Sequence, residues 1–336
     1  MMFVGTVENQ KTFIWKRKYQ KPGSFELYAP ITEDNINYLK RGNLVHKKGD
    51  LEAGIIEDVR LQENDLKNEI VAKGRFLTSY MDRRLIKSTI TFSGTVEEAM
   101  RHLISNVDEI PRLEMGKLNG FTETVSFQVT YKNLLQYIEK LSQFSNLGFR
   151  FRPDFNAKKI FFEVYKGVER TAASGMAHQV VFSESYDNLN NATYNENDQL
   201  YKNVVYVGGE GEGAERKYVV VGDAEGLNRR ELFVDAKDIR SDNLSNEEYE
   251  ELLRQRGMEA LNSNSLKSSF ECQTRPDGNY EYKIDYDLGD VVDVKKKKWG
   301  IAVTERITEI EEVYEYGEMS VSPTLGEALP ESMDWS

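Results

Sequence analysis

The sequence predicts a mainly β fold that also contains an α+β part and a small helical insertion. Three observations lead to this fold class. Short runs of branched and aromatic residues, bounded by Gly, Asp and Pro, occupy both ends of the chain. Two amphipathic helix patterns and a hairpin pattern occupy the middle, within residues 94–178. A further helix, opened by Ser245, interrupts the C-terminal β part.

The C-terminal stretch 282–326 has the pattern of a β-meander of about four strands. Residues 287–290 predict a tight turn, and residues 291–294 predict the start of a strand. A lysine-rich hairpin tip is predicted at 295–300, and a second turn at 316–317. The meander carries no nucleophile, metal cluster or phosphate loop. We therefore interpret it as scaffold.

The N-terminal residues 1–93 are predicted to be all-β, because alternating apolar residues lie in short runs between frequent turns. Residues 94–178 predict an α+β domain. Its first helix opens at Thr95, and Glu98 three residues later completes a capping box. Its second helix is predicted at about 131–146.

The C-terminal half divides into three predicted parts. Residues 179–222 together with 282–327 are assigned to a second β domain, and 223–281 to an inserted α+β domain. Residues 328–336 are predicted to be a loose tail. The helix of the insertion contains Gly257, which lowers its stability by about 1 kcal/mol relative to Ala.

A short internal similarity links the two β parts. Leu44-Val45, a lysine turn and the segments 54–56 and 59–61 are similar to Val291-Val292, a lysine turn and the segments 300–303 and 306–307. Two barrels of one design within one chain would explain this pattern.

Composition excludes several protein classes. No apolar run approaches the roughly 18 residues of a membrane-spanning helix. The N-terminus lacks the charged and apolar regions of a signal peptide. The single cysteine, Cys272, excludes an internal disulfide framework and suits a reducing cytoplasm. A net charge of −12 argues against binding nucleic acid through the overall field, although DNA could still pass without adhering.

Two patterns suggest ligand sites that the surrounding residues do not support. The glycine-rich segment 208–213 resembles a phosphate loop, but it leads into a strand and carries glutamates, so we interpret it as a hairpin tip. The aspartates from Asp285 to Asp293 resemble a calcium loop. Glycine at the fifth position and Lys296 at the twelfth break that pattern. We predict no metal or cofactor site.

No catalytic residue is predicted either. The three histidines lack ligand or catalytic spacing, and Cys272 has no activating context. The glutamate pairs 97–98 and 247–248 could act as hydrolytic acids, but capping explains both pairs. The lysines 295–298 could contact DNA or lipid, but they are more typical of a solvated turn.

Several segments, taken in order, resemble siphophage tail proteins of the baseplate-hub class, which also form the N-terminal part of tail-associated lysins. The similarity covers about residues 3–326. One departure is Glu169, where the family pattern has Asp. The segments are 25–27 with Pro30, 54–57, 74–77 with 83–84, 165–167 with 169–171, 181–183 with 188–189, 201–204 with 208–211, 229–235 and 285–290.

The resemblance implies a non-enzymatic, structural role. Such hubs have two tube-like antiparallel β-barrel domains per chain, and three chains form a ring of six barrels. The implied partners are two further copies of the chain, a distal tail protein, and a tail tip or lysin component. DNA would pass through the lumen without specific binding. The implied location is the virion tail, after synthesis in the host cytoplasm.

Ring assembly requires strand edges that pair between subunits. The meander strands and their N-terminal counterparts are our candidates for the subunit interface. They are Leu44, Val45, Ile55, Ile56, Val59, Val291, Val292, Val294, Ile301, Val303 and Ile307.

Two other functions remain open at this point. One is a cell-wall hydrolase attached to such a hub. The other is a host-carbohydrate-binding tail protein, with its binding site in the 223–281 insertion.

Overall fold

The computed structural model describes residues 2–63, 68–175, 178–242, 244–274 and 278–326. The predicted tail at 328–336 lies outside these residues. The N-terminal region contains β1 (Thr12–Lys18), β2 (Ser24–Ala29), α1 (Glu33–Tyr38), β3 (Leu44–Val45), β4 (Gly54–Glu63), β5 (Asn68–Phe76), β6 (Leu85–Ile86) and β7 (Ile90–Thr95).

The remaining elements follow in chain order. The middle contains α2 (Val96–Ser105), β8 (Leu113–Met115), β9 (Thr124–Val129), β10 (Lys132–Asn133), α3 (Leu134–Ser145), β11 (Gly148–Asp154) and β12 (Lys159–Tyr165). The C-terminal half contains β13 (Val181–Ser183), β14 (Leu189–Asn197), β15 (Val204–Gly208), β16 (Tyr218–Val221), β17 (Glu231–Asp235), α4 (Asn246–Ser263), β18 (Lys267–Thr274), β19 (Val291–Lys296), β20 (Ile301–Glu315) and β21 (Glu318–Gly326). Short 3-10 helices lie at Leu77–Arg83, Ala172–Ser174, Glu184–Tyr186, Gly213–Glu215, Gly226–Asn228 and Lys297–Trp299.

One large sheet dominates the fold and confirms the mainly β class. Its strand order is β14-β18-β21-β20-β1-β2-β5-β4-β3. Strand β19 pairs with β20, and β13 pairs with β19. The two β regions predicted as separate barrels are therefore joined, because β1 pairs antiparallel with β20. The described strands form no closed barrel.

The α+β part lies beside this sheet and has its own core. In α2, the Thr95 hydroxyl accepts a bond from the Glu98 amide, and the Glu98 carboxylate accepts one from the Thr95 amide, both at 3.3 Å. The predicted capping box is therefore confirmed. The apolar stripe of α2 is buried, and α3 ends at Asn146 in the left-handed conformation. Strands β8, β11 and β12 form a sheet whose inward side chains join the same core.

The inserted unit begins earlier in the chain than the predicted boundary at residue 223. The hairpin β15–β16 pairs with β17 and packs on α4, rather than joining the large sheet. Conversely, β18 lies within the large sheet, although it falls inside the predicted insertion 223–281. The chain enters and leaves the unit at one place, because the Lys202 amide donates to the Asn264 carbonyl at 2.9 Å.

The internal similarity marks equivalent hairpins, with one change of register. Leu44 pairs with Ile55 in the first hairpin, and Val291 pairs with Arg306 in the second. The match of 44–45 to 291–292 therefore places the two first strands in equivalent positions. The second strands align in a register other than the one in the sequence comparison. Ile56 is equivalent to Ile307 and not to a residue of the 301–303 segment. The longer β19–β20 hairpin extends past this point to the lysine-rich tip, as predicted.

No helix in the described part of the chain is long and apolar enough to span a membrane.

Gly257 permits the close packing of α4 on the β15–β16 hairpin. A Cβ atom at this position would lie 2.6 Å from a Val221 methyl carbon and 3.0 Å from a Val207 methyl carbon. The low helix propensity of glycine is therefore offset by a short distance between helix and sheet. The glycine weakens the isolated helix but fits the folded one.

We expect Gly257→Val to lower the free energy of unfolding by about 2 kcal/mol, because the branched side chain overpacks this contact. Thermal and denaturant unfolding would measure the loss. Glu251→Val is the matched control, since Glu251 lies on the exposed face of the same helix. Unchanged or higher stability of Gly257→Val would contradict the packing argument and show that the better helix propensity of valine sets the effect.

Candidate assembly site

Two long strands of the large sheet each have an unpaired edge within the described residues. Strand β14 pairs with β18 on one side only. Strand β4 pairs with β5 along its length, but its other side pairs with β3 only at Gly54 and Ile55. Residues 57–63 therefore present an unpaired strand edge. Unpaired backbone amides and carbonyls of this kind can pair with another chain.

Polar side chains accompany the apolar ones on both edges. On β4, Leu61 is 56% exposed, and Asp58 and Arg60 are also exposed. On β14, Thr193 and Glu196 are exposed. Exposed charged and amide groups keep such edges soluble until they pair.

The structure separates the predicted interface residues into two groups. Five of the predicted residues have buried side chains that pack inside the chain's own cores. These residues are Ile55, Ile56, Val292, Val294 and Ile307. They are buried because strand alternation turns them toward the cores. The half-buried group is Leu44, Val45, Val59, Val291, Ile301 and Val303. The interface role of both groups stays a prediction.

Strand β14 was absent from the predicted interface. Its sequence, LNNATYNEN, lacks the branched and apolar alternation that indicates a strand. A repeat elsewhere could have revealed it. The tripeptide Ser-Phe-Glu occurs at residues 24–26 in β2 and again at 269–271 in β18, and each of these strands follows its hairpin partner, β1 or β14.

The junction between β1 and β20 shows how two parts of this sheet join. Seven residue pairs connect the strands, from Thr12 opposite Glu315 to Lys18 opposite Glu309. On the outer face, Lys16 and Glu311 form an ion pair at 2.8 Å, and Lys18 and Glu309 form one at 3.2 Å. Opposite charges across strands favour this register.

A cluster of charged residues fills the inner face of the same junction. The Arg17 side chain is 3% exposed and donates to the Asp287 carboxylate at 2.6 Å and to the Tyr282 hydroxyl at 3.0 Å. Its Nε atom lies 3.8 Å from a Glu52 oxygen. Buried charges require such partners, so the cluster joins the 47–52 loop of the N-terminal part to the C-terminal part.

Two further lysines complete this cluster at its edge, the half-buried Lys47 and the exposed Lys283. Lys47 donates to Glu312, which is 1% exposed, and Lys283 donates to Asp50 at 3.1 Å. The Tyr314 hydroxyl donates to Glu312 at 2.5 Å. The cluster therefore contacts both β1 and β20 and fixes their relative position.

Glu52 is a buried carboxyl group within the cluster. Burial raises the pKa of its carboxyl from 4.5 to about 7, although the nearby Arg17 guanidinium opposes the shift. One of its oxygens has no hydrogen-bond partner. A raised carboxyl pKa means that the folded protein retains a proton that the unfolded chain loses. The stability contribution of Glu52 is therefore full below about pH 4.5 and is lost as the pH rises to about 7.

The other groups singled out in the sequence have structural partners. The Glu210 carboxylate in the glycine-rich loop accepts bonds from the Ser241 amide at 2.9 Å and from Arg240 at 3.0 Å. Glu97 is fully buried and accepts bonds from the backbone amides of residues 119 and 120. Burial raises the pKa of the Cys272 thiol to about 12. Among the described residues, no group of His, Cys, Asp and Glu could hold a metal ion.

We expect Glu52→Gln to remove this part of the pH dependence. Between pH 4.5 and pH 7.5, the free energy of unfolding of the variant should rise by about 3 kcal/mol relative to the parent, because the parent alone loses the Glu52 contribution. Urea unfolding at several pH values would measure the difference.

Glu251→Gln, on the exposed face of α4, is the control for the substitution itself. A Glu52→Gln variant that runs parallel to the parent would contradict the assignment of a raised pKa.

Solved structures of phage tail proteins share this fold. A tail protein from Neisseria meningitidis MC58 superposes with a TM-score of 0.60 at 13% identity, over 95% of this chain and 92% of that one. The 43 kDa tail protein of prophage MuSo2 from Shewanella oneidensis superposes with a TM-score of 0.57 at 12% identity, over 94% of each chain. The prophage tail protein gp18 from Listeria monocytogenes EGD-e gives a TM-score of 0.53 at 12% identity, over 96% and 90%.

No curated protein sequence matches the chain. A family model does match it, over residues 1–327, and this model is described as Siphovirus ReqiPepy6 Gp37-like protein. The match spans almost the whole sequence and agrees with the tail-protein fold. The chain therefore belongs to this siphovirus tail-protein family.

Proposed function

We propose that the chain is a structural baseplate hub protein of a phage or prophage tail, and that three copies form a closed ring. The observation that supports this most directly is the single sheet in which two long strands, β14 and β4, each have an unpaired edge. A chain with two different open edges can join copies head to tail, which is the arrangement that closes into a ring. The fold shared with phage tail proteins supports the same assignment.

The ring would join the tail tube to the tail tip and let DNA pass through its lumen. Its neighbours would be a distal tail protein on one side and a tip or lysin component on the other. The net charge of −12 supports passage without adhesion, because negative charge repels the phosphate backbone. The protein would be made in the host cytoplasm and located in the virion tail.

The role proposed here is structural rather than catalytic. The acids considered for hydrolysis support this, because Glu97 is bound by backbone amides and Glu248 caps its helix. The buried Cys272 thiol, whose pKa is raised, is also poorly suited to nucleophilic attack.

We expect purified protein at tens of micromolar to have a light-scattering mass of about 116 kDa, three times the 38.7 kDa chain. Dilution should shift the population toward smaller species, since the subunit contacts depend on concentration. Negative-stain images should show rings with a central opening.

A monomer at every concentration, also after mixing with a distal tail protein, would contradict the proposed ring. Incubation with double-stranded DNA serves as a second readout. Retention of DNA by the protein at physiological salt would contradict a lumen that lets DNA pass without binding.

A further inference from the structure

The large sheet contains one strand arrangement twice. The N-terminal part runs β1-β2-β5-β4-β3, and the C-terminal part runs β14-β18-β21-β20-β19. In each part a pair of antiparallel strands comes first in the chain, β1–β2 or β14–β18. A short strand and a long strand follow, β3–β4 or β19–β20. The last strand, β5 or β21, lies in the sheet between the second strand of the pair and the long strand. The order along the sheet and the order along the chain are therefore the same in both parts.

Backbone geometry repeats at equivalent positions. Gly42 and Gly289 both have φ +93°, a left-handed conformation that favours glycine. The Gly42 amide donates to the Ile56 carbonyl at 2.8 Å, and the Gly289 amide donates to the Ile307 carbonyl at 2.8 Å. The amide of each isoleucine donates back to the residue after the glycine, at 2.9 Å and 2.8 Å. Gly42 is thus equivalent to Gly289, and Ile56 to Ile307.

The two long strands also share a bulge. The pairing of β4 with β5 shifts between Ile56 and Asp58, and that of β20 with β21 shifts between Ile307 and Glu309. Bulges are specific features that fix register. Beyond the bulge, Asp58 is therefore equivalent to Glu309, and the residues that follow correspond one by one.

The first hairpins align through the repeated Ser-Phe-Glu segment. Phe25 in β2 pairs with Trp15, and Phe270 in β18 pairs with Tyr194. Trp15 in β1 is therefore equivalent to Tyr194 in β14, and Lys16 to Asn195. Together, the alignment of the first hairpins and that of the long strands identify β14 as the counterpart of β1 and β4 as the counterpart of β20.

Only one of the two equivalent junctions is filled within the described residues of a single chain. Strand β1 pairs with β20, whereas their counterparts β14 and β4 are both open on the corresponding sides. We propose that β14 of one subunit pairs antiparallel with β4 of a second copy, in the register of the β1–β20 junction. This places Asn195 opposite Arg60 and Tyr194 opposite Leu61. The inference rests on the proposed ring and names the strands that close it.

The side chains on the two edges suit this pairing. Leu61, exposed in the single chain, would be covered by the half-buried Tyr194 ring, which extends the core across the junction. Thr193 would lie opposite Gln62. Threonine has a high β propensity, and the glutamine amide can form hydrogen bonds.

Charge distinguishes the two junctions. The junction within the chain relies on lysines at 16 and 18 opposite glutamates at 311 and 309. Strand β14 has no lysine, so it cannot reproduce these ion pairs on β20. It would instead present amide groups at 195 and 197 to Arg60 and Asp58 of the neighbour. The difference directs β14 to β4 and away from β20.

Paired cysteines test the strands and the register together. Arg60→Cys with Asn195→Cys should form a disulfide between chains under mild oxidation, because directly opposed residues on neighbouring strands satisfy disulfide geometry. Non-reducing gels should show bands of two and three chains and no larger species, since the ring is closed. The native Cys272 is buried and does not compete.

Lys16→Cys with Glu311→Cys is the matched control, since it replaces the equivalent pair inside the chain. It should form a disulfide within one chain and leave the apparent mass unchanged. Arg60→Cys with Glu196→Cys tests the register, because Glu196 projects to the opposite face of β14. It should give few cross-links.

The outcomes separate this inference from the proposed function. A trimeric mass without the Arg60–Asn195 disulfide, in conditions where the control pair oxidises, would overturn the strand pairing and leave the ring standing. A monomer without cross-links would overturn both. Hydrogen exchange on the unmodified protein gives an independent readout. Amides of residues 190–197 and 59–63 should be protected in the assembled state and lose protection on dilution.

Discussion

The pairing of β1 with β20 is the contact on which the rest of the fold depends. It joins residues almost 300 positions apart in the sequence and merges the N-terminal and C-terminal strands into one sheet. Its outer face is held by lysine–glutamate pairs, and its inner face by the buried cluster around Arg17. A slip of one residue would turn Arg17 away from its partners and expose Trp15. The register is therefore fixed from both faces.

Local signals in the sequence predicted local structure well. The capping boxes at Thr95 and Ser245, and the apolar stripe of α2, lie where expected, because a helix start depends on residues within one turn. The meander predicted at 282–326 forms three strands rather than about four, and it has the lysine-rich tip and the turn at 316–317 where they were expected. In each of these cases the determining contacts are close in sequence.

Long-range features could not be predicted in the same way. The buried cluster unites Arg17, residues 47–52 and residues 282–287, which share no pattern and meet only when the sheet forms. Strand β14 is too polar to be recognised by periodicity, and it forms because β18 supplies its hydrogen bonds. The predicted interface residues are apolar strand residues, and five of them, Val292 and Ile307 among them, have side chains buried in the chain's own cores. Hydrophobicity alone does not distinguish a core from an interface.

The place where the inserted unit leaves the sheet has a consequence for how such proteins vary. Asn197 ends β14 directly opposite Lys267 at the start of β18, so the whole unit occupies the position of a hairpin loop. The unit also packs on the α+β part, where α4 contacts α3 and β9 and the Gln128 side chain accepts a bond from the Arg240 amide at 2.6 Å. A different domain, or a short turn, could replace the unit between these two strand ends without altering the sheet. The structure thus keeps the sheet apart from a position that is open to exchange during evolution.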